Sequence, residues 1–221
     1  HDQEIGDIYD KLVKLRTQMA KKLGFTRVIL SRETTLEDIK DIRNNTDLEI
    51  EYFVQGALCV SFSGNCYMSS MISGLSGNRG KCQQYCRKKY LAIDNNKDIS
   101  KEYHLSTRDL CLINNLCQLV DAGVCSFKIE GRLRHVGYVA TVTNAYRKII
   151  DNNFSSASND DLTKLKVAFS RGDFNYHAYL MNNKDEIINS KNQNHIGVRI
   201  GTLKSFRPFK NDLYELEIES S

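Results

Sequence analysis

Strand and helix signals alternate from the start of this chain to about Ile150, and that alternation restricts its fold more than any other feature. Ile8, Leu12, Leu15, Met19 and Leu23 recur at steps of three and four, the period of one helical face, and Gly24 supplies a stop. Arg27-Val-Ile-Leu30 is β-branched and apolar and reads as a strand. Thr34 with Glu37 makes a capping box ahead of Leu36, Ile39 and Ile42, which predicts a second helix. Leu48 to Val54 is the next strand and delivers the chain directly into Gly56 and Cys59. Ser106 and Asp109 open a predicted helix that carries Leu110, Ile113, Leu116 and Val120 and closes at Gly123. Cys125 to Ile129 is a further strand, and Val136, Val139, Val142, Tyr146 and Ile149 mark a long amphipathic helix. Such a succession is the signature of βα units with parallel strands and right-handed crossovers. Three strands cannot close a barrel of eight, so the expected fold is α/β, the C-terminal portion of a (β/α)8-type barrel followed by a small β-rich appendage.

The domain boundaries expected from composition follow. Residues 1–151 form the partial barrel. Residues 152–195 are a linker and helical connection, because Asn152 to Asp161 is rich in Asn, Ser and Asp and a short helix follows around Leu162 to Phe169. Residues 196–221 begin a small β domain, from the alternation of Ile196, Val198 and Ile200, the turn at Lys210-Asn-Asp, and the strand Leu213 to Ile218. The start at His1 and the close within an apparent strand suggest a piece of something longer. At 221 residues with 41% hydrophobic and 26% charged side chains, the composition is that of a globular protein, which excludes general disorder. No run approaches the roughly 18 apolar residues of a spanning helix, so no membrane role is expected. An odd count of seven cysteines and no visible secretory signal point to a reducing cytoplasm over an export route.

Four of those cysteines, Cys59, Cys66, Cys82 and Cys86, follow the order C-x6-C-x15-C-x3-C among glycines and basic residues. Thiols kept so close either oxidise, hold a metal, or sit as small buried apolar groups. A [4Fe-4S] cluster needs four soft thiolates on backbone flexible enough to wrap a cube, and Gly56, Gly64 and Gly80 stand alongside. Structural zinc is the alternative metal, although Cys59 and Cys66 are spaced more widely than the tight hooks of zinc sites. Cys117 and Cys125 read as core residues. Arg79, Lys81, Arg87, Lys88 and Lys89 lie within or beside the cluster, where their field favours thiolates or attracts phosphates, and Arg79 and Arg87 are candidate substrate contacts.

The string Glu51-Tyr-Phe-Val-Gln-Gly56-Ala-Leu-Cys59-Val-Ser-Phe-Ser-Gly64-Asn-Cys66-Tyr-Met-Ser69 resembles the signature of the peptidase U32 family, the collagenase-like proteins. Asn78-Arg-Gly-Lys-Cys82-Gln-Gln-Tyr-Cys86-Arg87 is similar to the family's N-R-G-x-C-x-x-P-C-R element, with Tyr85 in place of the usual proline. Ser126-Phe-Lys-Ile-Glu-Gly-Arg132, Phe169-Ser-Arg-Gly172 and Asn194-His-Ile-Gly-Val198 resemble further family blocks, so the likeness runs from about Lys21 to Gly201. It implies a barrel architecture, and because some U32 members carry iron–sulfur clusters on cysteines of this motif, it implies Cys59, Cys66, Cys82 and Cys86 as ligands. In some relatives the fourth ligand lies farther downstream, which makes Cys111 the rival of Cys86.

Lys128, Glu130 and Arg132 alternate along one strand face toward the mouth of a barrel and are the candidate catalytic residues. Arg32 and Glu33 follow another strand and are candidate substrate contacts at the same mouth. The family label implies proteolysis of collagen or another peptide. Yet no H-E-x-x-H helix is present, and His104, His135, His177 and His195 fall in no catalytic spacing. Other U32 proteins are implicated in hydroxylating a ribosomal or transfer RNA base, with prephenate as a required metabolite, and in quinone hydroxylation. A cluster beside a cation-rich pocket suits that chemistry, with RNA as partner and prephenate as a co-substrate, better than amide hydrolysis.

Overall fold

A computed structural model describes residues 15, 18–95, 97–131, 134–176, 180, 181 and 187–220. The first predicted helix falls mostly outside them; within them, residues 18–22 are helical. The strand expected at Arg27 is β1 (Arg27–Ile29), and α1 (Leu36–Asn45) follows. Its cap lies one residue beyond the expected pair. Thr35 accepts from the Asp38 backbone while the Asp38 carboxylate accepts in return from the Thr35 N–H. Thr34 is instead buried outside the helix, its carbonyl accepting the Tyr52 hydroxyl at 2.7 Å.

β2 (Glu49–Ala57) is the hub of a five-stranded sheet. It pairs in parallel with β1 and with β6 (Val124–Ile129), and antiparallel with the short β5 (Asp109–Cys111), which continues in parallel to β7 (Phe174–Asn175). Between β2 and β5 run α2 (Met68–Ser73) and an antiparallel hairpin, β3 (Tyr90–Asp94) with β4 (Lys97–Glu102). After β5 come α3 (Leu116–Asp121), then β6, α4 (Val136–Asp151) and α5 (Asn159–Ala168). The hairpin β8 (Gly201–Pro208) and β9 (Tyr214–Ser220) is antiparallel and turns through Asn211 and Asp212, both at positive φ. Residues 196–200, expected as strand, join neither β8 nor β9.

The helix predicted to open at Ser106 is not formed. Leu110, Cys111, Leu112 and Ile113 are all buried, and a run of consecutive buried positions suits a strand covered on both sides; the Leu112 N–H bonds to the Val54 carbonyl at 2.8 Å. Helix begins only at Leu116. The core lies on one side of β2, where Ile50, Tyr52 and Val54 meet Ile39 and Ile42 of α1, Leu116 and Leu119 of α3, and Val142, Tyr146 and Ile149 of α4. The other side is charged. Glu51 accepts from the Ser126 hydroxyl at 2.8 Å and pairs with Arg27 and Lys128, while Lys128 and Arg32 lie over the Phe53 ring. The sheet is open: a mixed α/β arrangement with parallel strands and no closed barrel among the described residues. No helix of the described residues is long and apolar enough to cross a membrane.

Candidate functional site

The charged side of β2 leads to a cleft at its C-terminal end, and Gly56 makes the approach possible. With φ at 130°, a side chain there would be strained, and its Cβ would meet the Glu130 Cβ at 2.8 Å and the Glu130 carbonyl at 3.0 Å. The glycine lets the Glu130 N–H reach the Gln55 carbonyl at 2.8 Å, which sets Glu130 beside the first cysteine loop.

That loop is built from short turns. Cys59 follows the end of β2; the sulfur of Cys66, past a turn at Phe62–Gly64, takes the Met68 N–H at 3.4 Å. α2 ends at Gly74 in the left-handed conformation, and a turn at Gly77–Arg79 ends the same way at Gly80. The Cys82 sulfur accepts the Gln84 N–H at 3.4 Å, and Cys86 sits in the turn Tyr85–Arg87. The Ser69 hydroxyl accepts the Gln83 N–H at 3.0 Å, tying the two cysteine loops together. Arg87 clamps their base. Its Nη1 donates to the Thr107 carbonyl at 2.7 Å and the Ser106 hydroxyl at 3.1 Å, and its Nη2 to the Leu58 carbonyl and the Thr107 hydroxyl, both at 3.1 Å. Only 4% exposed, with those donors engaged, Arg87 holds the loop in place of the substrate contact expected of it.

Cys59, Cys82 and Cys86 line a cleft of about 380 Å³ together with Arg32, Arg87, Glu130, Arg134 and Arg171. Cys66 does not line it, and its charge is among the lesser causes that raise the Cys59 and Cys86 thiols. Burial is the larger cause in both, lifting each thiol above the usual cysteine range. Cys111 belongs elsewhere. It is 1% exposed in β5, in contact with Tyr146, and burial pushes its thiol up to about 12. Cys86, not Cys111, is therefore grouped with Cys59, Cys66 and Cys82. Cys117 and Cys125, expected in the core, are exposed: Cys117 faces Asp121 at 3.8 Å on the outer side of α3, and Cys125 meets the Ile50 carbonyl at 3.5 Å.

Four thiols on loops, two of them already receiving backbone N–H groups, are the type of donor set a [4Fe-4S] cluster takes. Among the described residues no three His, Cys, Asp or Glu side chains converge on a single metal ion. A lone zinc requires sulfurs about 2.3 Å from one centre.

Of the other expected residues, Arg32 and Glu130 meet in an ion pair at the cleft, and Arg32 lies 4.0 Å from the Phe53 centroid. Lys128 pairs with Glu51 at 3.5 Å deeper along the sheet and does not line the cleft; nor does Glu33. Arg79 is exposed on its turn, and Arg132 lies outside the described residues. Sequence reasoning missed Asp109, Arg134 and Arg171. Arg171 Nη1 stands 2.5 Å and Arg134 Nη2 3.7 Å from the same Asp109 oxygen, and Arg134 lies 3.3 Å from the Phe169 centroid. Two cations share one carboxylate, leaving this wall positive. Burial pulls the Arg134 guanidinium down while Asp109 opposes the shift. The Phe169-Ser-Arg-Gly172 block was the available signal, but nothing in its spacing joins Arg171 to Asp109 across 62 positions.

Residues 15–190 match the model of Peptidase family U32. The chain belongs to the U32 family. It is 45% identical over 138 residues to the 23S rRNA 5-hydroxycytidine C2501 synthase of Escherichia coli, covering 62% of this chain and 21% of that protein. It is 38% identical over 144 residues to tRNA hydroxylation protein P1 of Bacillus subtilis, covering 61% and 34%. It is 34% identical over 165 residues to a collagenase of Porphyromonas gingivalis, covering 66% and 40%. This U32 chain thus spans less than half the length of each. No solved structure gives a significant match.

Proposed function

We propose that this U32 chain is the cluster-bearing part of a cytoplasmic enzyme that hydroxylates a base of ribosomal or transfer RNA. The observation that carries the reading is the meeting of Cys59, Cys82 and Cys86 with a cationic wall at the end of parallel strands, in a chain whose relatives include named RNA hydroxylation proteins. Cys59, Cys66, Cys82 and Cys86 would hold a [4Fe-4S] cluster, which supplies one-electron chemistry when bound. Arg134 and Arg171 exceed the charge of Asp109 and suit a small dianion such as prephenate, held by charge-assisted bonds. Arg32 orients Glu130, which places a carboxylate at the cleft as a proton acceptor. In the same reading the open sheet is the C-terminal portion of a (β/α)8-type barrel, completed by strands outside this chain.

Hydrolysis of collagen is the second reading, supported by the relatives that bear that name. The residues favour it less. His104 Nε2 lies 3.2 Å from the Ser100 hydroxyl, but both sit on the β3–β4 arm and neither lines the cleft.

The test is anaerobic purification of the intact protein, assay of iron and sulfide, and mass spectrometry of nucleosides from RNA incubated with it and prephenate. About four irons and four sulfides per chain are expected, with one added oxygen in a single nucleoside, both lost in Cys59→Ser. A folded protein without iron or sulfide, or one that cleaves gelatin and leaves RNA unchanged, overturns the reading.

A further inference from the structure

The hairpin β3–β4 follows directly from the turn that carries Cys86. From Arg79 to Tyr103 the chain holds seven basic and three acidic residues, a surplus of +4; five of the basic residues lie in the stretch Arg79 to Lys89 that leads into the hairpin, and the hairpin itself carries Lys97 and Lys101 among Asp94, Asp98 and Glu102. The formal charges of the remaining residues sum to zero, so the net surplus of the chain lies in this stretch. Arg87 is buried, but Arg79, Lys81, Lys88, Lys89, Lys97 and Lys101 are all exposed. Among the described residues, no carboxylate pairs with Lys88, Lys89, Lys97 or Lys101. Aromatic rings are interleaved with these charges: Lys88 Nζ lies 4.3 Å from the Tyr85 centroid and Lys89 Nζ 5.3 Å from that of Tyr103. Between them Leu91, Ile93 and Ile99 stand in solvent at 45%, 60% and 66% exposure, which a hairpin of this size does not retain for its own stability.

We propose that this arm is the surface that holds single-stranded RNA beside the cysteine cleft. The inference rests on the RNA reading above and specifies which part of the chain binds the strand. Lys88 and Lys89 at the foot of the hairpin and Lys97 and Lys101 on its second strand neutralise phosphates, and tyrosine rings and aliphatic side chains offer sequence-tolerant surfaces to unstacked bases. The arm is tied to the cleft, because the Tyr90 hydroxyl donates to the Tyr85 carbonyl at 2.8 Å at the head of the turn bearing Cys86. A strand lying on the arm thus passes within reach of the ligand loop.

Fluorescence anisotropy of the intact protein with a mixed-sequence single-stranded RNA of about 16 nucleotides, over a salt series, tests this. Lys88→Gln, Lys89→Gln, Lys97→Gln and Lys101→Gln combined should weaken binding at least tenfold at low salt. The slope of log affinity against log salt should fall by about 0.7 for each phosphate left without its lysine. Neutralising Lys22, Lys40, Lys164 and Lys204 instead should leave both unchanged, and Tyr103→Ala should weaken binding with little change in slope. Should the fourfold variant misfold, the pairs at 88/89 and 97/101 give the same comparison separately. Equal slopes for arm and control variants, or polyglutamate bound as tightly as RNA, would overturn the inference. Neither measurement needs turnover. RNA held by the arm but never hydroxylated sinks the functional reading alone, and hydroxylation with binding indifferent to the arm sinks this one alone.

Discussion

Arg87 shows how a single residue changes meaning between sequence and structure. Its place beside Cys86 suggests a phosphate contact, yet it joins Leu58, Ser106 and Thr107 beneath the cysteine loops. Arg87→Met would leave the Leu58 and Thr107 carbonyls with fewer donors, and should cost about 2–3 kcal/mol in denaturant unfolding. Bound RNA should matter little to that loss. At the neighbouring cysteines, Cys86→Ser should abolish iron retention after anaerobic reconstitution. Cys111→Ser should keep it, since Cys111 is buried beside Tyr146 and apart from the four. Iron retained by the first variant and lost by the second would reverse the assignment. Gly56→Ala, forced against Glu130 at positive φ, should destabilise by about 1–3 kcal/mol.

Among the elements, α5 depends on a reciprocal cap. Ser158 accepts from the Asp161 N–H, and the Asp161 carboxylate accepts from the Ser158 N–H and hydroxyl and from Lys148 of α4. Ser158→Ala should cost about 1 kcal/mol. The Ser158 hydroxyl, then Lys148, hold the Asp161 carboxyl down at about 2, below its ordinary 3.8. A depressed carboxyl contributes stability above its unfolded value, and that contribution fades as pH falls through the folded one. Thermal unfolding should therefore separate Asp161→Asn from the parent at neutral pH, with the gap closing toward pH 2. A gap that stays constant would show that the charge is not involved. Both caps lie near sequence patterns that are easy to read, but at α1 two overlapping pairs fit, Thr34 with Glu37 and Thr35 with Asp38. The Tyr52 hydroxyl, 18 positions away, decides between them by holding Thr34 out of the helix.

For the whole molecule, the cleft is an assembly of distant segments. Arg134 and Arg171 lie on separate connections and converge on Asp109, whose strand is held between β2 and β7. If this wall binds the anionic co-substrate, Arg134→Ala in the intact protein should raise the prephenate concentration for half-maximal hydroxylation by about 10–100-fold. Maximal RNA binding should be unaffected. An unchanged requirement for prephenate would place the anion elsewhere.

The amino-acid order by itself determined β1, β2, β6, α1 and α4, because their apolar periods are local and their stop signals lie within a turn. It also singled out Cys59, Cys66, Cys82 and Cys86 as a group, since thiol spacing and flanking glycines are written in one short segment. Tertiary structure alone decided that Leu110–Ile113 is strand, because a buried apolar run fits a helix or a sheet until its neighbours are known. It alone gathered Asp109, Arg134 and Arg171, and it alone gave Arg87 a buried role. Charge pairing across a fold depends on which backbone segments approach each other, and that approach leaves no period in the sequence.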